Sequence, residues 1–132
     1  MNSVFLDTNA YSQYNLGDKK VKKALEISEV IYFPTIAIGE LYAGFLNGTS
    51  FEKNRAILMD FVSDPKVEVV EVQIKTSLIY GNIYSELKKG GTPVSSNDVW
   101  IAACAIETGS TIITYDKHFL KIPGVKVWKS LQ

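Results

Sequence analysis

Short apolar runs alternate along this chain with longer stretches in which apolar positions recur at helical spacing. Val4-Phe5-Leu6 reads as a buried strand that ends at Asp7. Asp18 is placed to cap a helix from Lys19 to about Ser28, with Val21, Ala24, Leu25 and Ser28 on one side and lysines around the other. Val30-Ile31-Tyr32-Phe33 predicts a second strand, stopped by Pro34. Thr35 is a good N-cap for a helix to about Leu46, which ends at Asn47-Gly48, and Ser50 starts another through about Val62. Val67 to Val72 alternates valine with glutamate, as a strand with one solvated side does. A long helical pattern from Ile74 to Lys89 carries Leu78, Ile79, Ile83, Tyr84 and Leu87, and Gly90-Gly91 closes it. Ser95 or Ser96 caps a nearly all-apolar helix, Val99 to Ile106, which reads as buried. Thr111 to Thr114 predicts a strand, and Val125 to Trp128 a short terminal one. Strands alternating with helices predict an α/β fold with a mostly parallel central sheet.

A length of 132 residues suits one domain, taken as residues 1–132. Fourteen basic side chains balance fourteen acidic ones, which excludes a generally cationic nucleic-acid binder. Any contact with RNA or DNA must then come from a local patch or a metal. The one arginine, Arg55, leaves no arginine-rich phosphate clamp. A lone cysteine, Cys104, forms no internal disulfide and suits a reducing compartment. The residues from Met1 to Asp7 lack the basic start and apolar core of a signal peptide, and no apolar run reaches the roughly 18 residues of a membrane span. A cytoplasmic protein that spans no membrane is the expectation.

Most of the acids read as solvated faces or caps: Glu26, Glu52, Glu68, Glu71, Glu86 and Glu107 on the surface, Asp18 as a cap. Four resist that reading. Asp7 and Asp116 each follow a predicted strand, at the edge where open parallel sheets gather ligands. Glu40 shares a helical stripe with Ile36, Ala43 and Gly44; Asp98 shares one with Ile101, Ala102 and Ala105, in the first turn of a buried helix. Capping and turn chemistry is the plain alternative for all four. If they converge, each pair of carboxylates about 4 Å apart repels by roughly 4 kcal/mol at an effective dielectric of 20. Protonation relieves this, and so does a hard divalent cation; oxygen ligands suit Mg²⁺ or Mn²⁺. One histidine and one cysteine offer no zinc set. Thr8, Asn9, Asn97 and Thr114 flank the acids as hydrogen-bonding neighbours. His118 reads as a loop histidine, Cys104 as a small core residue, and Trp100 as core packing, whereas Tyr11 and Tyr14 are candidates to stack on bases. Lys19, Lys20, Lys22 and Lys23 on one helix, and Lys117, Lys121, Lys126 and Lys129 near the last acid, are candidates to guide a phosphate backbone.

These residues resemble the PIN domain, and more closely the VapC-type ribonuclease toxins of type II toxin–antitoxin pairs. Asp7-Thr8-Asn9 is similar to that family's opening motif and Glu40-Leu41 to its helical Glu-Leu. The stretch from Thr92 through Asn97-Asp98-Val99-Trp100-Ile101-Ala102-Ala103 resembles the block with the third acid. Gly109 through Thr114-Tyr115-Asp116, with His118-Phe119 and Ile122-Pro123-Gly124-Val125, resembles the closing block. The resemblance implies a PIN-like fold, a mostly parallel sheet wrapped by helices with the acids at one end. It implies Mg²⁺- or Mn²⁺-dependent hydrolysis of RNA phosphodiester bonds, a homodimer, and a cognate VapB-type antitoxin. On that reading Asp7, Glu40, Asp98 and Asp116 are catalytic and Asp7, Asp98 and Asp116 hold metal. Glu40 positions a water or acts as general base. The alternatives are a catalytically silent RNA-binding or interaction module and a housekeeping PIN nuclease. A haloacid-dehalogenase-type phosphatase is disfavoured because Asn9 stands where a second Asp is needed, and a receiver domain because no Asp follows Val67–Val72.

Overall fold

Parallel pairing forces every strand of the sheet to be followed by a crossover on one of its faces, and helices supply them all. The computed structural model describes residues 2–132. Its elements run β1 (Ser3–Leu6), α1 (Thr8–Asn15), α2 (Lys19–Ile27), β2 (Val30–Pro34), α3 (Thr35–Leu46) and α4 (Phe51–Val62), then β3 (Val67–Val70), α5 (Ile74–Lys89), α6 (Ser96–Thr108) and β4 (Thr111–Ile113). Two short 3-10 turns follow, Lys117–Lys121 and Lys129–Leu131. The strand order is β3-β2-β1-β4, parallel throughout. In β1, Val4, Phe5 and Leu6 are wholly buried, as a central strand covered on both faces requires.

The topology decides where a site can form. From β1 the chain adds β2 and β3 on one side, then crosses back to lay β4 against the other side of β1. Leu6 pairs with Ile113 at the carboxyl ends of β1 and β4. The direction of winding reverses between these two strands, and the crevice beyond such a switch point is where α/β sheets bind ligands. Behind it, α6 buries Val99 and every residue from Ile101 to Ala105, including Cys104, against the sheet and α5. Fully burying a side chain such as Phe33 or Leu58 contributes about 1.5–3 kcal/mol.

Several expectations need correction. The first helix has no counterpart in the hydrophobic pattern, since Thr8–Asn15 buries only Ala10 and Tyr11; its start is fixed by the Asp7 side chain, which accepts from the Ala10 amide. Thr35 is the first residue of α3 and gives no side-chain cap, because β2 runs through Pro34 directly into the helix. In α5 the buried face is Thr76, Ile83 and Leu87, while Leu78 and Tyr84 point to solvent. Glu107 is not a free surface acid: Thr76 donates to it and Lys75 pairs with it at 3.5 Å. Val125–Trp128 makes only a single bridge, Ile112 with Val127, because the chain turns at once into the last 3-10 turn. Tyr11 is buried against Phe33 and Phe61, so it is not free to stack on a base.

That single bridge still has a consequence for the site. It carries buried Trp128 to a position where its indole Nε1–H donates to the Thr114 carbonyl at 2.6 Å. Trp128→Phe would keep the packing and orphan that buried carbonyl. The expected cost is about 1–3 kcal/mol, read as a lower urea midpoint with unchanged m-value.

Candidate active site

Asp7 emerges from β1 at the switch point with 3% of its surface exposed. Both of its oxygens are held. Oδ1 accepts from the Ala10 amide at 2.8 Å, which caps α1, and Oδ2 accepts from the Thr114 hydroxyl at 2.5 Å. Capping and site placement are therefore one act here: the helix start fixes the carboxylate. Thr114 is fully buried and links three elements, since its hydroxyl also accepts from the Asp116 amide at 2.9 Å and its carbonyl holds Trp128.

Asp98 arrives from α6. The Ser95 side chain accepts from its amide at 3.2 Å, which fixes the first turn, and 17% of the Asp98 side chain is exposed. Asp116 arrives from the end of β4, where its Oδ1 accepts from the His118 amide at 2.9 Å and starts a 3-10 turn. Glu40 arrives from α3, half-buried. Its Oε1 accepts from Thr8 at 2.6 Å and its Oε2 from Asn97 at 3.2 Å, so α1 and α6 hold it from two sides. The structure thus brings Asp7, Glu40, Asp98 and Asp116 together from β1, α3, α6 and the end of β4. Thr8, Asn97 and Thr114 each touch one of these acids. Asn9 is exposed and, among the described residues, hydrogen-bonds to none of the four.

His118 is the residue that sequence reasoning set aside. Its Nδ1 lies 3.1 Å from Asp116 Oδ1 and 3.8 Å from Asp98 Oδ2. The sequence signal was the Asp-x-His spacing, since an Asp side chain commonly accepts from the backbone amide two residues on and so keeps that residue close. Asp98, Asp116 and His118 offer ligand atoms all within 4.8 Å of one another.

The electrostatics follow from the crowding. Burial pushes the Asp7 carboxyl up to about 7, and the charges of Asp116 and Asp98 push the same way, against hydrogen bonds from Thr114 and Ala10 that pull it down. Asp98 is raised by burial, then by Asp116 and Glu40, with Ser95 and His118 opposing. Against this crowding the structure sets one imidazole, His118, beside Asp98 and Asp116. Two carboxyl oxygens, from Asp98 and Asp116, and one imidazole lie close enough to share a divalent cation, which would offset the repulsion that raises Asp98, whereas Asp7 and Glu40 lie outside that group.

A family model described as the PIN domain matches residues 4–125. Ribonuclease VapC2 of Rickettsia felis is 29% identical over 99 residues, covering 74% of this chain and 72% of that protein. The tRNA(fMet)-specific endonuclease VapC of Salmonella typhimurium is 31% identical over 94 residues, 70% of each chain. The structure of VapBC2 from Rickettsia felis bound to a DNA fragment from its promoter superposes with a TM-score of 0.87 at 26% identity, over 96% of this chain and 97% of that one. DNA-bound VapBC from Salmonella typhimurium gives 0.86 at 26% identity, over 97% and 98%. This chain belongs to the PIN domain family, in its VapC group.

The raised Asp7 pKa makes a signed prediction. The folded protein keeps this proton up to about pH 7, whereas the unfolded chain loses it near 3.8. Asp7 therefore contributes no penalty at low pH, and stability falls as pH rises from about 4 through about 7. In ion-free protein with chelator, Asp7→Asn removes this slope. Urea unfolding should show the stability difference moving in the variant's favour by roughly 3–5 kcal/mol between about pH 4 and about pH 8. Parallel profiles for the two proteins would contradict it.

Proposed function

We propose that this protein is a metal-dependent endoribonuclease, the toxin of a VapBC-type toxin–antitoxin pair, with residues 1–132 forming one nuclease domain. The observation that carries this reading is the meeting of four carboxylates from four separate segments at the switch point, with one of them, Asp7, buried. The names of the relatives, ribonuclease and tRNA-specific endonuclease, support RNA as the substrate.

Asp7, Asp98 and Asp116 are the residues assigned to hold Mg²⁺ or Mn²⁺. When bound, such an ion lowers the pKa of a water and offsets charge on the phosphoryl oxygens. Glu40 is assigned the proton. Its two oxygens are fixed by Thr8 and Asn97 yet keep lone pairs free, so it can orient the attacking water and accept its proton. The water oxygen bonds to phosphorus, the bond to the 3′-oxygen breaks, that oxygen takes a proton from solvent water, and the products are a 5′-phosphate and a 3′-hydroxyl. Thr114 and Trp128 do no chemistry in this scheme and keep Asp7 in register with Asp116.

Balanced overall charge leaves RNA attraction to local features. A hollow of about 480 Å³ is lined by Asn9, Gln13, Asp18, Lys19, Lys20 and Tyr115. It shares Asn9 and Tyr115 with the segments that carry Asp7 and Asp116, and Tyr115 is tied to the cap of α2 by its bond to Asp18 at 2.9 Å. Lys19 and Lys20 there are placed to meet a phosphate next to the scissile one. The antitoxin follows from the relatives that were solved as VapBC complexes. A homodimer belongs to the same reading, supported by the apolar side chains Ile74 and Leu78 left in solvent on α5. Among the described residues no helix is long and apolar enough to cross a membrane.

RNA digestion with Mn²⁺ or Mg²⁺ tests the reading. Asp98→Asn should lower the cleavage rate roughly a hundredfold or more. Glu40→Gln should lose cleavage while ion uptake, read by calorimetry, stays close to wild type. Equal cleavage by wild type and Asp98→Asn, or none by wild type with any divalent ion, would leave a binding module in place of a nuclease.

A further inference from the structure

His118 sits at the acidic cluster without a part in the scheme above. It is held there by two anchors. Phe119, the next residue, is buried in the core, and the His118 amide donates to Asp116 Oδ1 at 2.9 Å. Between them these fix the start of the 3-10 turn and bring the imidazole over the carboxylates. Its Nδ1 faces two acids from different elements at once, Asp116 at 3.1 Å and Asp98 at 3.8 Å, while 56% of the side chain remains open to solvent.

Two roles fit an imidazole between two carboxylates. As an imidazolium it would neutralise them; as a neutral ring it would offer a nitrogen lone pair beside their oxygens. A hydrogen bond and two ligands on one ion give similar spacings, and what favours the second is that the imidazole faces two acids at once, with ligand atoms of Asp98, Asp116 and His118 all within 4.8 Å of one another. Two donors bonded at right angles to one ion at about 2.1 Å lie roughly 3 Å apart. The Asp116–His118 separation already matches that edge, and the Asp98–His118 separation exceeds it by less than 1 Å. The solvent-exposed ring can make up the difference by a small rotation.

A nitrogen donor changes which ion is preferred. Mg²⁺ takes oxygen ligands and gives up its waters reluctantly, so an imidazole adds little to its binding. First-row transition ions gain from imidazole, and Mn²⁺ is the one among them that still suits a carboxylate-rich set. We propose that His118 donates Nδ1 to the divalent ion held by Asp98 and Asp116, so that the site prefers Mn²⁺ over Mg²⁺. This rests on the metal-dependent reading given above.

The test uses the full chain and the ions alone, without RNA. Calorimetry should give wild type a tighter Mn²⁺ than Mg²⁺ site. His118→Ala should weaken Mn²⁺ about tenfold and change Mg²⁺ by about twofold or less. Electron spin-echo measurements on the Mn²⁺-loaded wild type should show coupling to a directly bound nitrogen, absent in His118→Ala and in His118→Gln. The side chain is exposed, so unchanged thermal unfolding of the ion-free variants checks that they fold. A histidine that merely neutralises the acids competes with the ion, so tighter binding of both ions by His118→Ala would overturn the proposal. So would Mn²⁺ uptake that Asp98→Asn abolishes but that shows no nitrogen coupling, an outcome that leaves the metal-dependent reading standing. Uptake of neither ion by wild type would overturn both.

Discussion

The rest of the molecule is arranged around one costly placement, a carboxylate buried at the end of the central strand beside other carboxylates. Burial and like charge both drive Asp7 toward its protonated form, and its pKa rises to about 7 as a result. Two hydrogen bonds, from the Ala10 amide and the Thr114 hydroxyl, offset part of that cost and fix the direction of both oxygens. A structure that keeps an acid under these conditions has a crevice ready for a cation, because a divalent ion turns each repulsive pair into a shared ligand set. Stability and function thus pull in opposite directions at one residue, as they commonly do where a site is strained for its task.

Holding that placement takes a rigid surround. Thr114 joins β1, the Asp116 turn and Trp128 through three hydrogen bonds. Thr8 and Asn97 do the same for Glu40 from α1 and α6. Asp7 and Glu40 are thereby each fixed by neighbours from different elements. Side chains supported in this way pay little reorganisation when charge develops in a reaction, which is the condition under which positioned acids are most effective. His118 differs from the acids in being exposed, with 56% of its side chain open to solvent.

Caps and site residues were competing explanations for the four acids when only the sequence was considered, and the structure dissolves the competition for two of them. Asp7 caps α1 and Asp116 caps a 3-10 turn, each through its Oδ1, while Asp7 Oδ2 accepts from Thr114. A carboxylate has about four acceptor positions, so one hydrogen bond to an amide does not exhaust it. The same reasoning explains the missed first helix. Thr8–Asn15 is mostly polar and buries only two side chains, so periodicity could not reveal it; the Asp7 cap could have.

The strands, the buried α6 and the capping of α2 follow from local chemistry: short apolar runs too brief for helices, a helix apolar all round, and an Asp before a run of helix formers. The four acids proposed for the site were also visible, because each stood where a solvated face could not explain it. Tertiary structure alone decided which surfaces met. Ile83 and Leu87, four residues apart, face the core, whereas Leu78, on the side of the helix opposite Leu87, faces water, since only one stripe of α5 can pack on α6. Glu107 found partners in buried Thr76 and exposed Lys75 through a contact between α5 and α6 that no local pattern encodes. The approach of His118 to Asp98 is of the same kind, an encounter between segments twenty residues apart that exists only because β4 returns to lie beside β1.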